Sequence, residues 1–174
     1  IVMADSGLNI ASALSAGTHT ITVVAIDSKG ATGFAQVIVR MNNRPTATIT
    51  APANNITRTF GSSITFNGAG SDAEDGNVTA SLTWTSSRDG QIGTGASFST
   101  TTLTAGVHTI RATALDSAGA TGSATITVTI NRAPSVSITA PATNSMYTPG
   151  TSVSFSATAT DPEEHPMTPI KSVK

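Results

Sequence analysis

The sequence predicts an all-β protein built from tandem antiparallel β-sandwiches. Three observations carry this prediction: an internal repeat of 89 residues, strict alternation of apolar and hydroxyl side chains, and turn residues between the alternating segments. Alternation with a period of two places one face of a strand in a core and the other in solvent. No window shows a convincing period of 3.6 residues, so helices are not expected.

The internal repeat is visible as segments that recur 89 positions apart. Residues 14–33 read LSAGTHTITVVAIDSKGATG and residues 103–122 read LTAGVHTIRATALDSAGATG, with thirteen of twenty positions identical. Residues 45–55 (PTATITAPANN) return as 134–144 (PSVSITAPATN). We therefore expect the C-terminal half of a first repeat at 1–43, one complete repeat at 44–132 and the N-terminal half of a third at 133–174.

The alternating segments of the complete repeat predict its strands and its core. The inward positions are Ala47, Ile49, Ala51, Ile64, Phe66, Gly68, Leu82, Trp84, Ile110, Ala112, Ala114, Ala124, Ile126, Val128 and Ile130. Turn residues separate the segments at Asp75-Gly76, Asp89-Gly90 and the glycine pair of 93–95. About seven short strands in one repeat are typical of an immunoglobulin-like sandwich. The single tryptophan, Trp84, is expected at its packing centre.

Composition excludes several function classes. Charged residues are 11% and the formal net charge is −1, which gives no electrostatic footprint for nucleic acid or an anionic membrane. The absence of cysteine excludes disulfides and thiolate zinc sites. No apolar run approaches the roughly 20 residues that span a bilayer. The opening residues lack signal-peptide character, so we expect targeting information outside this sequence.

One stretch of the complete repeat resembles a known family. Trp84 is followed by Asp89-Gly90, by GVHTI at 106–110 and by LDSAG at 115–119, and this order is similar to the polycystic kidney disease (PKD) domain. Bacterial immunoglobulin-like and cadherin-like repeats share much of the pattern. PKD domains favour an aromatic-glycine-aspartate run directly after the tryptophan, whereas residues 85–88 (TSSR) intervene here. His108 stands where the family usually has tyrosine. The resemblance implies spacer or adhesion modules of large secreted or cell-surface proteins.

Acidic residues recur in one loop of successive repeats and suggest calcium. The candidate ligands are Asp72, Glu74, Asp75, Asp116 and Asn43, with Asp161, Glu163 and Glu164 as the equivalents in the third repeat. Alternating strands bring the loops of Asp72 and Asp116 to the pole where the linker holding Asn43 arrives. Converging carboxylate and amide oxygens suit Ca²⁺, which takes six to eight oxygen ligands. The alternative is a solvated turn whose aspartates cap backbone amides.

Neither the two equivalent histidines nor any motif in the sequence predicts catalysis. His19 and His108 are in phase with the inward positions of their strands, which favours a corner histidine bonded to the backbone over a metal or catalytic role. No nucleophile elbow, cysteine nucleophile or histidine metal triad is present. We therefore expect no enzyme activity.

Two functions from different classes remain open. The first is an extracellular structural spacer or adhesion repeat whose partners are the neighbouring repeats and whose junctions calcium stiffens. The alternative is a carbohydrate- or protein-binding accessory module of a secreted hydrolase or adhesin, with a polysaccharide or a surface protein as partner. An exposed apolar patch would favour binding, and threonine-covered faces favour the spacer.

Overall fold

The computed structural model describes residues 12–163, and this part of the chain is all-β, as predicted. Thirteen strands and one short 3-10 turn (Thr79–Ser81) form within it. The strands are β1 (Gly17–Ile26), β2 (Thr32–Met41), β3 (Thr46–Ala51), β4 (Ile56–Thr59), β5 (Ile64–Asp72), β6 (Gly76–Asn77), β7 (Thr83–Ser86), β8 (Gly90–Thr94), β9 (Ser97–Thr100), β10 (Gly106–Leu115), β11 (Thr121–Asn131), β12 (Ser135–Ala140) and β13 (Ser156–Thr160).

The strands β3 to β11 form a two-sheet sandwich in the middle of the chain. One sheet has the order β4-β11-β10-β7-β8, and the other contains β3, β5 and β6 with β9 paired to β5. Only β4 and β11 pair in parallel here. The middle repeat has nine strands, where about seven were expected, because short segments such as β4 and β6 form separate strands. Asn55, at φ 63°, lies between β3 and β4, and asparagine tolerates this left-handed conformation.

An aromatic cluster fills the centre of the sandwich. Trp84 and Phe66 are fully buried, with ring centroids 5.8 Å apart, and Phe98 stacks on Phe66 at 5.2 Å. The indole Nε1 of Trp84 donates to the Gly95 carbonyl oxygen at 2.9 Å, so the buried polar atom is satisfied. The expected central position of Trp84 is confirmed.

The glycine pair at 93–95 was predicted as a turn, and this is wrong for Gly93. Gly93 lies in β8, where it pairs with Trp84, whereas Gly95 (φ 80°) follows the strand. A Cβ at Gly93 would come within 2.6 Å of the Phe98 ring. Residue 93 is therefore a strand position left without a side chain to admit Phe98, which the alternation pattern did not assign to the core.

The strand pairings recur along the chain with the offset of the sequence repeat. The hairpin β1–β2 pairs from Gly17↔Met41 to Ile26↔Thr32, and β10–β11 pairs from Gly106↔Ile130 to Leu115↔Thr121. The pair β12–β13 repeats β3–β5, including the irregularity between residues 49 and 51, which reappears between 138 and 140. The repeat boundaries at 43/44 and 132/133 stay predictions.

Candidate functional site at the repeat junction

The linker before the middle sandwich, residues 42–45, is held by side chains from two loops of that sandwich. The Asn42 side-chain amide donates to Asp116 Oδ2 at 2.8 Å. The backbone N–H and the side-chain amide of Asn43 donate to the two carboxylate oxygens of Glu74, each at 3.2 Å. The predicted candidates Glu74 and Asp116 are thus brought to one pole with Asn43, where the two carboxylates accept hydrogen bonds from the first two residues of the four-residue linker 42–45.

The acidic loop after β5 is organised by its first aspartate. Asp72 Oδ1 accepts the backbone N–H groups of Glu74 and Asp75, both at 2.9 Å. This is the turn-capping arrangement of aspartate. Asp75 reaches the neighbouring loop, where its carboxylate accepts the backbone N–H and the hydroxyl of Ser117 at 2.6 and 2.8 Å. The two loops are therefore joined directly.

Asp116 links the β10–β11 turn to the linker. Its Oδ1 accepts the Ala120 N–H at 2.7 Å, while Oδ2 accepts the Asn42 amide. The hydrogen bond from Asn42 is the largest cause that holds the pKa of Asp116 below its usual value, and backbone amides of the turn add to it against the opposing effect of burial. The Asp116 side chain is therefore charged at neutral pH. Its two carboxylate oxygens hold the β10–β11 turn and the linker to each other.

A cleft of about 560 Å³ lies beside this linker, and an equivalent one of about 430 Å³ lies beside the next. The first is lined by β1–β2 residues and by 73–75, 117 and 118, and the second by 105–107, 129, 131, 162 and 163. Seven lining positions of the first cleft, such as Gly17 and Asn42, have their equivalents 89 residues later, such as Gly106 and Asn131, in the lining of the second. The two junctions therefore share a local geometry.

The third repeat retains the first contact of the acidic loop. Asp161 Oδ1 accepts the Glu163 N–H at 2.9 Å, as Asp72 does for Glu74. The nearby Asp161 carboxyl, together with burial, raises the pKa of Glu163. Glu164 lies outside the described residues.

The fit of calcium to these side chains is partial. Asp72 Oδ2 is buried without a hydrogen-bond partner and is the available ligand oxygen. The carboxylates of Glu74, Asp75 and Asp116 are all engaged by N–H or O–H donors. Within residues 12–163, no three histidine, aspartate or glutamate side chains are grouped so that they could hold a metal ion. A bound ion would require Glu74 or Asp75 to exchange its present donors for the metal.

The histidine prediction is confirmed by the hydrogen bonds of His108. Its Nε2 lies 2.6 Å from the Thr104 carbonyl oxygen, four residues upstream, and His19 Nε2 lies 2.8 Å from the Ser15 carbonyl oxygen. A carbonyl oxygen can only accept, so Nε2 carries the hydrogen. The Ser86 hydroxyl lies 2.8 Å from the other ring nitrogen, His108 Nδ1, and forms a hydrogen bond with it.

Sequence reasoning missed Ser86 and Asp89 as partners of His108. Asp89 Oδ2 lies 3.4 Å from His108 Nδ1, which completes a set of serine, histidine and aspartate. The arrangement differs from a hydrolase triad, because the serine and the aspartate approach the same ring nitrogen while the other nitrogen is tied to the backbone. Ser86 and His108 are also buried. These three side chains hold β7, β10 and the turn between β7 and β8 together.

A comparison with models of protein families agrees with this architecture. Residues 134–167 match the family model described as a bacterial Ig domain. The fold is an immunoglobulin-like β-sandwich. No curated protein matches the chain.

One similar solved structure is titled as fibronectin(III)-like modules of Clostridium thermocellum CbhA, with 21% sequence identity and a TM-score of 0.47. The alignment covers 68% of this chain and 65% of that one, so the chain spans less than two thirds of that structure. Within the part of the immunoglobulin-like chain that the structure describes, no helix is long and apolar enough to cross a membrane.

Proposed function

We propose that the chain is a segment of an extracellular or cell-surface array of immunoglobulin-like repeats that acts as a structural spacer with ordered junctions. The observation that carries the proposal is the linker contact set, in which Asn42 and Asn43 donate to carboxylates of two different loops. A linker held by three hydrogen bonds has less conformational freedom than a free one. The similar clefts at the two junctions support the same geometry for successive repeats.

The outward face of the middle sandwich supports a spacer role. Thr125, Thr127 and Thr129 alternate with buried residues along β11, and Thr109 and Arg111 do so along β10. Val107 and Leu115 are exposed on β10, at opposite ends of the strand, and single exposed apolar side chains do not form a patch for a partner. The aromatic side chains of the core, Trp84 foremost, are turned toward one another and offer no stacking platform for sugars. The spacer is therefore favoured over the accessory binding module.

Calcium is a further part of the proposal. Asp72 Oδ2, buried and unpartnered beside the linker, would be its first ligand. Glu74 or Asp75 would exchange its present donors, the Asn43 N–H groups or Ser117, for the ion. A divalent ion would stabilise carboxylates that otherwise repel one another. The hydrogen-bonded linker and the calcium-bound junction are then two states of the same pole.

The test of the spacer is the distribution of distances across the first junction. A second copy of residues 44–89 placed ahead of Ile1 gives the first repeat all of its strands, and the chain has no cysteine to interfere with spin labels at residues 29 and 125. We expect one narrow distance distribution. Asn42→Ala/Asn43→Ala should broaden it, whereas Asn131→Ala, the matched change at the next junction, should not. A broad distribution in the unsubstituted chain would contradict the proposal.

A further inference from the structure

The outward face of the β1–β2 hairpin, the side turned away from the core of its repeat, differs from that of the middle sandwich. Its exposed apolar side chains are Phe34 (76%), Ile38 (64%), Ile26 (60%) and Val24 (45%). The equivalent positions 89 residues later hold Ser123, Thr127, Leu115 and Thr113. The hairpin therefore has four apolar side chains at positions where the middle sandwich has one.

The exposure of these side chains follows from the face on which they lie. In the complete middle sandwich the equivalent positions on β10 and β11 are exposed or half-buried and alternate with more deeply buried ones. The strands that complete that sandwich pair with the edges of β10–β11 or pack on its inward side, and none of the described strands crosses the outward face. Phe34 and Ile38 are therefore exposed whichever strands complete the first repeat.

The apolar side chains form two groups separated by a polar pair. Val24 and Phe34 are opposite each other in the register of the hairpin. Ile38 lies four residues further along β2, beyond Gln36. The side-chain amide of Gln36 donates to the Thr22 hydroxyl oxygen at 3.0 Å. Because these two polar groups already bond to each other, covering them costs less than covering free ones.

The charge of this face does not oppose its burial. Among the outward positions of the hairpin the one charged side chain is that of Arg40, near the end of β2. The remaining outward positions are apolar or carry neutral hydroxyl and amide groups. An apolar centre with neutral polar neighbours is typical of the interfaces of homodimers.

The area of this face suits a dimer. Both strands have ten residues, and at about 3.4 Å per residue and 4.8 Å between strands they cover roughly 34 by 10 Å. Side chains that stand out of the sheet raise the accessible area to roughly 500–600 Å² for each copy, so two such faces bury over about 1,000 Å², the lower bound of a specific interface. A face of this size predicts a weak dimer that depends on concentration.

We propose that the outward face of β1–β2 binds the same face of a second copy of the chain, with a twofold axis between the two faces at the level of Gln36. The axis reverses the strand direction, so Phe34, two residues before Gln36, lies over Ile38 of the second copy, two residues after it. The contact is isologous and closes at a dimer. It joins two chains that run in opposite directions. This inference goes beyond the spacer function and depends on neither the linker contacts nor calcium.

Sedimentation equilibrium of the full chain tests the proposal. The apparent mass should rise with concentration from the monomer mass of 17.5 kDa and level off at twice that value. Phe34→Ser/Ile38→Thr gives this face the residues that the middle sandwich has at 123 and 127, and it should weaken association about tenfold or more. Leu115→Thr, which removes an exposed apolar side chain from the outward face of β10, is the matched control and should associate as the wild type does. A wild type that stays monomeric, or association that Phe34→Ser/Ile38→Thr leaves unchanged, would overturn the proposal.

A single cysteine tests the position of the twofold axis. The chain has no cysteine, so Gln36→Cys introduces one at the level of the axis, and a short bismaleimide should cross-link it to its own copy. Thr125→Cys, at the equivalent outward position of the middle sandwich, should stay monomeric. Cross-linking at 36 should persist when a second copy of residues 44–89 is placed ahead of Ile1, since the added strands pack on the inward side of β1–β2 or pair with its edge. Loss of the cross-link in that longer chain, or equal cross-linking at 36 and 125, would contradict the face-to-face dimer.

Discussion

Gly122 and Pro45 are in such close contact that any side chain at 122 would collide with the Pro45 carbonyl oxygen. This contact places the start of β3 directly against β11 and fixes where the linker enters the middle sandwich. Glycine is needed here for close approach of two backbones, since φ of Gly122 is not in the left-handed region.

Gly122→Ala should destabilise the middle sandwich by about 1–3 kcal/mol, because either β3 or β11 has to shift to admit the methyl group. Chemical denaturation followed by circular dichroism measures the change. Gly33→Ala is the matched control, since a Cβ there would meet no atom within 4 Å. Equal stability of Gly122→Ala and the wild type would show that the linker does not seat on β11.

Trp84→Ala should lower the free energy of unfolding by about 3–5 kcal/mol. The side chain is fully buried against Phe66 and Phe98, and its loss leaves a cavity between the two sheets. Domains of this size are stable by about 5–15 kcal/mol, so the variant should be only marginally folded. Circular dichroism is the readout, because Trp84 is the sole tryptophan. Val107→Ala, on the exposed face of β10, should melt close to the wild type.

The stability contributed by Asp116 should depend on pH in the acid range. The Asn42 hydrogen bond and the turn amides lower the pKa of Asp116 in the folded protein. A lowered folded-state pKa gives stability that is complete above the unfolded-state value of about 4 and is lost as the pH falls through the folded-state value. Melting temperatures measured from pH 6 downward should show this loss.

Removing the donor tests that cause. Asn42→Ala should shift the acid loss attributable to Asp116 toward higher pH, because the largest contribution to the lowered pKa is gone. Asp116→Asn should remove this part of the pH dependence in either background. An acid melting profile that Asn42→Ala leaves unchanged would show that the linker amide does not act on Asp116.

Calcium should raise the melting temperature of the full chain if the junction binds it. Extracellular modules bind with dissociation constants of about 10⁻⁴–10⁻³ M, and only the folded pole assembles the ligands. Calorimetric titration and melting with and without a chelator measure the effect, and Mg²⁺ should substitute poorly. Asp72→Asn/Asp75→Asn should abolish the shift, whereas Asp89→Asn, an acid outside the pole, should preserve it. No shift at about 10 mM Ca²⁺ would leave the hydrogen-bonded linker as the sole means of ordering.

The sequence by itself determined the all-β fold, the core phase and the corner histidines. Ile110, Ile126 and Val128 are buried as their alternation predicts. This succeeds because the side-chain period of a strand is local: neighbours in sequence are enough to show which face is apolar. His108 was found by the same means, since it shares the phase of Ile110.

Only the tertiary structure decided which polar groups meet at the pole and which aromatic ring completes the core. Asn42 and Asp116 are 74 residues apart, and their contact depends on where two loops and a linker converge. Phe98 enters the core because Gly93, on a strand of the opposite sheet, leaves room for its ring. These relationships arise from the packing of one sheet on another, for which a local pattern of alternation carries no information.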